Sequence, residues 1–516
     1  METLPTVQSN GVGFDLSART LGRPLRVVLL TFYNYSSHAL RIFHPLLEQR
    51  GHEVHSIFCK EEFTYGYPTE REEQMVLELV EKIDPDLVAV SVWSTYYQLA
   101  ARLTDRIKQR TRAVVIWGGI HAQVRPEDSL EHADLVARSE GEYVLAELTD
   151  RIGLDQDYRD LRGTWVRSGG EIIKNPPHFL IPDLDVLPIP DLTPARKYYL
   201  AGEQWVDAAK RDQELLGYDI MMVRGCPFEC TFCIHNYTRK VTVGMGTYIR
   251  RRSVDHCLRE LRAMIQTRPK LKAIAFSDDI FAPSRPWLEE FCARYKQEIR
   301  KPFIIWSYPG MVDDYKVGLM KDAGLWCATM GIQSGSERIR KECYERETPN
   351  EMIVRACETF ARHGVLRNLD FIGDNPYEDD TDRYATMELL ARLPKPFYFN
   401  YFSLTYFPGV ELTDRALRDQ HIKPEDVEDV AQKGYVLWGG TLSPLRSLEA
   451  LRWDVAYMML VYRFPHALVR RLVDLPLFRR RANRAAGLMR GLRTASHMRD
   501  RLIYNLTGRF SLPSAS

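Results

Sequence analysis

The chain of 516 residues has almost no net charge, with 70 Lys and Arg against 69 Asp and Glu. It therefore has no whole-molecule field to draw in nucleic acid or acidic substrates. It also lacks any apolar run long enough to span a bilayer. Met1 to Pro24 is polar and glycine-containing, without the apolar stretch of an export leader. Tandem repeats and low-complexity tracts are missing as well, which excludes solenoids and long disordered tails. Without an export signal, the nine cysteines read as thiols or metal ligands rather than disulfides, and a reducing cytoplasmic location is expected. What remains is globular: 45% of residues are hydrophobic and 27% charged. The length predicts two or three domains.

Short β-branched and leucine runs alternate with helical stretches in the first part of the chain. The runs are 25–30, 53–58, 86–92 and 113–119; helices are predicted over 38–50, 70–83 and 97–110. This order predicts a doubly wound parallel sheet, whose ligands sit beyond the carboxyl ends of the strands. Polar and glycine residues cluster at those ends: Thr31 to Ser37, Ser91 to Thr95, and Gly118-Gly119-Ile-His121. A proline-rich connector through Asn175–Pro177 and Ile181–Pro190 is expected to lack regular structure. A second βα series follows, with strands at 219–223, 273–277, 303–306, 326–331, 366–372 and 398–404. Six strands with intervening helices predict a partial (β/α)6 barrel of TIM type, with its active site at the strand carboxyl ends. The last hundred residues read as helical and turn arginine-rich.

Cys226-Pro-Phe-Glu-Cys230-Thr-Phe-Cys233 places three thiols within eight residues, directly after a predicted strand. Closely spaced thiolates on a short loop suit an iron–sulfur cluster, and three ligands leave one iron of a four-iron cluster open. A zinc site would need a fourth ligand, for which His235 is the only nearby and rather cramped candidate. A redox dithiol of Cys230 and Cys233 is the other alternative.

The CxxxCxxC spacing, with Phe232 before the third cysteine, Val223-Arg-Gly225 in front and Ile234-His-Asn236 behind, resembles the radical S-adenosylmethionine (SAM) signature. The resemblance implies that Cys226, Cys230 and Cys233 hold a 4Fe–4S cluster whose open iron chelates SAM. Reductive cleavage would then give a 5′-deoxyadenosyl radical, with electrons from an external donor of flavodoxin or ferredoxin type. Further segments are similar to the same family. Phe276 to Phe281 resembles the strand-end motif of the cobalamin-binding members, placing Asp278 and Asp279 near SAM or substrate; the plain alternative is a helix cap. Met330 to Ser336 resembles the Gly-Ile-Glu-Ser-Gly segment. Gln333 replaces the acid there, and Ser334 follows it; Gln keeps hydrogen bonding but loses charge. Phe371 to Glu378 departs from the usual Gly-Leu-Pro-Gly-Glu, though its Gly373 is still expected to approach the adenine. Tyr406-Phe-Pro-Gly409 matches the family's closing turn. Phe232, Asp278, Asp279, Gln333, Ser334 and Gly373 are thus the SAM-binding candidates.

Gly118 to Pro126, Ala133 to Val136 and Glu140-Gly-Glu142 resemble the cobalamin-binding domain fused to many such enzymes. Glycines at a strand end let backbone approach a bulky macrocycle. The cobalamin candidates are Ser91, Ser94, Gly118, Gly119, His121 and Glu142. The Asp-x-His-x-x-Gly cobalt-ligating motif is absent from the first βα loop; His38 is there instead, and cobalt without a lower protein ligand is expected. The implied organisation is an N-terminal extension 1–24, a Rossmann-like cobalamin domain 25–155, a linker 156–212, a radical SAM barrel 213–415 and a helical region 416–516. The favoured activity is methyl transfer from methylcobalamin to an unactivated carbon or phosphorus centre of a small-molecule or lipid-like substrate. Alternatives are a radical cyclase of the anaerobic porphyrin type and a non-enzymatic corrinoid or cluster sensor. Arg470, Arg471, Arg479, Arg480, Arg481, Arg484, Arg490, Arg493, Arg499 and Arg501 mix with apolar residues at helical spacing. They could hold the protein against an anionic membrane surface, or simply solvate a helix packed on the barrel. Nucleic-acid binding is not expected, because aromatics are not interleaved with the arginines.

Overall fold

A computed structural model describes residues 15–20, 22–60, 67–191, 193–433 and 447–507, with side chains described to 428 and to 495 in the last two stretches. The start of the expected N-terminal extension, residues 1–14, lies outside them. The first sheet contains β1 (Arg26–Phe32), β2 (Glu53–Cys59), β3 (Leu87–Ser91), β4 (Val114–Gly118), β5 (Leu135–Ala137), β6 (Thr164–Ser168), β7 (Glu171–Lys174), β8 (Lys197–Ala201) and β9 (Gln204–Val206). Their order is β7-β6-β5-β4-β3-β1-β2-β8-β9. Strands β1 to β5 and β8 run parallel; β6, β7 and β9 are added antiparallel at the edges. Central β1, Arg-Val-Val-Leu-Leu-Thr-Phe, is buried from its second residue on, as a strand covered by helices on both faces must be. Helix Glu70–Ile83 starts on a capping box of Thr69 and Glu72, which satisfies two otherwise orphaned amides.

The stretch expected as a linker is therefore not bare: four of its segments extend the first sheet. Each hairpin strand has at most five residues and mixed polarity, so it carries little of the apolar signal of the central strands. The proline-rich part proper, 175–190, does lack regular structure apart from one 3-10 turn at Leu184–Val186.

The second body is a six-stranded parallel sheet of β10 (Gly217–Ile220), β13 (Ala273–Phe276), β14 (Phe303–Ser307), β15 (Leu325–Gln333), β16 (Leu366–Gly373) and β17 (Tyr398–Ser403), in sequence order. No pairing joins β10 to β17 among the described residues, so the barrel is partial, as expected. Phe276 and Phe303 of the sheet pack edge-to-face with each other and with Phe291 and Tyr295 of the covering helix Arg285–Glu298. Between β10 and β13, β11 (Val223–Arg224) pairs antiparallel with β12 (Arg250–Arg251), closing off the cysteine loop and helix Ile234–Val241. Helix Leu448–Val461 packs on helix Asp380–Arg392 and on β17. Helices His466–Val473, Pro476–Arg480 and Ala482–Thr507 pack on it in turn. No described helix is long and apolar enough to cross a membrane.

Candidate functional site: a cleft between two sheets

The carboxyl ends of β3 and β4 face a cleft of about 1300 Å³, counted out into its open side, whose opposite wall is the segment after β10 and the start of helix Val254–Thr267. Leu29, Ala89 and Ile116 line its apolar depth. Ser91, Gly118 and Gly119 stand at the first-sheet rim, with Met221, Val223 and Arg224 opposite. Gly119 has φ +86°, and a Cβ there would lie 2.7 Å from the Val92 carbonyl oxygen. Only glycine fits this turn, and it leaves bare backbone at the rim. An apolar slot with a backbone-lined mouth fits a corrinoid.

Of the other corrinoid candidates, Ser94 and His121 are buried and bond each other, with 3.1 Å between His121 Nδ1 and Ser94 Oγ. Neither lines the cleft; they brace the loop behind the rim. Burial pushes the His121 imidazole down to about 4, so it stays neutral. Glu142 does line the cleft, but its carboxylate accepts from Arg224 Nη2 at 2.5 Å. His38 is likewise committed: its Nε2 lies 3.0 Å from Asp219 Oδ2 and 3.1 Å from Ser277 Oγ, both on the barrel side. Arg41, one helical turn on, donates to the Asp219 carbonyl at 2.8 Å and to its carboxylate at 3.0 Å.

The cysteine loop hangs from β11. Gly225 has φ +93°, and a Cβ on it would meet the Tyr248 carbonyl oxygen at 2.5 Å, so the turn into Cys226 requires glycine. Cys226 and Cys230 are buried, Cys233 partly so, and all nine cysteines are free thiols. Burial pushes the Cys233 thiol up to about 12, which a cluster's charge would reverse. A single zinc ion binds sulfur at about 2.3 Å, so its ligand atoms must lie within about 4.6 Å of each other. The one described group of three such donors converging within 4.8 Å is His44, Glu48 and Asp191, not the cysteines. His235 is no fourth ligand either: its Nδ1 bonds Tyr248 Oη at 2.7 Å and its Nε2 pairs with Asp279 at 2.8 Å. Three spread sulfurs on one loop suit a multi-iron cluster.

Asp278 and Asp279 differ from the expectation in a physical way. Asp278 is buried and accepts from the Met222 and Val223 amides at 2.6 and 2.9 Å, fixing the backbone that leads into the cysteine loop. Burial raises its carboxyl to about 7, against the lowering effect of those amides, and its Oδ2 has no donor among the described residues. Asp279 is half-exposed and positions His235. Phe232 packs edge-on against Tyr344 at 5.0 Å, placing it in the wall beside the loop. Gln333 ends β15 at a bulge with φ +72°. Ser334 is buried and donates to Glu378 Oε1 at 2.8 Å, so its hydroxyl is already spoken for. Gly373 ends β16 against the Tyr401 ring, where a Cβ would lie 2.4 Å from it.

Two sets of contacts were not expected from the sequence. Arg346 is buried between Tyr308 and Phe228; its Nη2 donates to the Gly331 carbonyl at 2.7 Å and its Nη1 reaches Cys230 Sγ at 3.7 Å. It ties the cysteine loop to the strand end beside Gln333. The second is an ionic clamp between the two bodies. Glu140 pairs with Arg224 at 2.9 Å and with Arg250 at 2.8 Å. Burial alone would push Glu140 up; the two guanidinium groups outweigh it and hold the carboxyl below its ordinary range.

Known families divide the chain at the same place. The family model for the B12 binding domain matches residues 26–149, and that for the radical SAM superfamily matches residues 220–390. The chain belongs to the cobalamin-dependent radical SAM enzymes. Its cofactors are accordingly a 4Fe–4S cluster, SAM and cobalamin. An uncharacterized methyltransferase of Pyrococcus horikoshii is 28% identical over 353 residues, 66% of this chain and 72% of that protein. The cobalamin-dependent radical SAM methyltransferase TokK of Streptomyces tokunonensis is 29% identical over 29% of this chain and 22% of its own length. Among solved structures, TsrM from Kitasatospora setae with cobalamin and cluster bound covers 92% of this chain and 100% of that one, at TM-score 0.63 and 16% identity. Apo OxsB covers 94% and 73%, at 0.66 and 17%. These two likenesses establish the shared fold.

Proposed function

We infer that this enzyme is a methyltransferase, adding a methyl group to an unactivated carbon or phosphorus centre of a small molecule. The observation that carries the reading is the shared cleft, with Ser91, Gly118 and Gly119 on one wall and the strand leading to Cys226 on the other. A methyl carrier and a radical source must be held close together to act on one substrate, and Arg224 of that cleft stands two residues before Cys226. Relatives named as methyltransferases support it: the Pyrococcus protein aligns over 66% of this chain, against 38% for an anaerobic porphyrin cyclase from Synechocystis.

In this proposal Cys226, Cys230 and Cys233 hold the cluster, while Gln333, Gly373 and the wall residue Phe232 border SAM. Ser91, Gly118 and Gly119 border the corrinoid. The cofactors supply the methyl group and the radical; the chain orients them and excludes water. Asp278 and Arg346 fix the cysteine loop. An external low-potential donor of flavodoxin or ferredoxin type would supply electrons, and the Arg-rich helical end would contact a membrane surface.

The test is product analysis of anaerobically reconstituted enzyme with cobalamin, SAM and a strong reductant. S-adenosylhomocysteine and 5′-deoxyadenosine should both form. Only 5′-deoxyadenosine would replace the reading with cyclisation or rearrangement; neither product would point to a sensor.

A further inference from the structure

The helices after Leu448–Val461 present an outer face that barrel packing does not explain. Their inner face is made of Val469, Val473, Ala482, Ala486 and Met489, all buried against that helix. A helix that merely packs on a barrel should be polar outside. Here the outer face keeps leucines instead: Leu475 is 48% exposed, Leu477 59% and Leu488 69%, with Leu468 and Leu492 also exposed. Residues 464–495 contain eight arginines and a single acid, Asp474. Arg470 and Arg479 pair with Glu388 and Glu449 of the underlying layer. Arg471, Arg480, Arg481 and Arg484 are exposed and have no acidic partner among the described residues. Along helix Ala482–Thr507, Arg484, Leu488 and Leu492 recur at four-residue spacing and so lie on one side.

We propose that this face docks the enzyme on an anionic lipid bilayer. Exposed leucines enter the headgroup boundary while the uncommitted arginines meet lipid phosphates, the arrangement by which interfacial helices bind without spanning. Charge complementarity selects the occupant: a face rich in arginine, with one acid, would repel a basic protein. Nucleic acid would use the arginines but would leave the leucines in water. The docking rests on the proposed function only for its purpose, to meet a membrane-borne substrate; vesicle binding needs no turnover, so either can fail alone.

The experiment is co-sedimentation of the full chain with vesicles of equal parts phosphatidylcholine and phosphatidylglycerol. Protein should pellet at low salt and be released at high salt, because screening reaches exposed charges first. Vesicles of phosphatidylcholine alone should leave it in the supernatant. Arg480→Glu with Arg481→Glu and Arg484→Glu should lower the bound-to-free ratio by about tenfold or more. Leu477→Ser with Leu488→Ser should also lower it, and since both leucines are exposed the fold should survive, as circular dichroism would verify. Wild-type protein remaining in solution at low salt would overturn the proposal. So would leucine variants that bind as well as wild type while duplex DNA competes, since that describes a general polyanion site.

Discussion

Arg346 shows how a single side chain can act on a centre it does not ligate. Its guanidinium reaches Cys230 Sγ while anchored to the Gly331 carbonyl. Hydrogen bonds and positive charge at a cluster sulfur favour the reduced state. Arg346→Gln should therefore keep its iron and sulfide but shift the cluster's midpoint to more negative potential, slowing SAM cleavage with a given donor. Cys230→Ala should lose iron outright. Reductive titration followed by electron paramagnetic resonance separates the two, and an unchanged midpoint in Arg346→Gln would refute the role. The residue was not legible in the sequence, because Arg346 and Cys230 are 116 positions apart. Asp278 was legible as a strand-end acid, but its hold on the Met222 and Val223 amides needed the fold.

Among the elements, the central parallel strands and the first helices could be read from the sequence, since strands buried on both faces are written as unbroken apolar runs. Helices Glu70–Ile83 and Tyr97–Arg110 fall where their periodicity puts them, the first on a capping box. The short hairpins β6–β7 and β8–β9 could not be, because an edge strand borrows its stability from the sheet it joins. The ends of β15 and β16 pose an electrostatic question of their own. Glu378, after β16, accepts from Ser334, after β15, and burial pushes its carboxyl up to about 7. A carboxyl raised in the folded state stabilises below its unfolded value and loses that contribution as pH climbs through the folded one, by up to about 1.4 kcal/mol per pH unit. Glu378→Gln should thus match wild type in thermal midpoint at about pH 5 and exceed it at about pH 8. An equal difference at both would show that burial does not set this carboxyl.

At the scale of the whole molecule, the two bodies are held by buried charge rather than by a continuous apolar core. Glu140 bridges Arg224 and Arg250 and also accepts from the Ile181 amide, while Arg250 donates to the Ile181 carbonyl. One carboxylate thus pins both the barrel and the proline-rich connector. Removing one member of such a buried pair leaves the others uncompensated, at about 3–5 kcal/mol. Glu140→Ala should lower the thermal midpoint and speed proteolysis within 175–190, whereas exposed Glu171→Ala should do neither. A connector as resistant in Glu140→Ala as in wild type would show that the clamp is idle. The hairpins on both edges of the first sheet have a consequence for how the chain is made. Strand β8 covers β2, yet it is translated more than a hundred residues later, and β6 covers β5 after the helix Gly141–Gly153 is complete. During synthesis the nascent first domain therefore exposes the β5 edge until Ser168, and the β2 edge until Ala201, has left the ribosome. A truncation at 155 would freeze that unfinished intermediate, and the natural place to cut the gene is after β9.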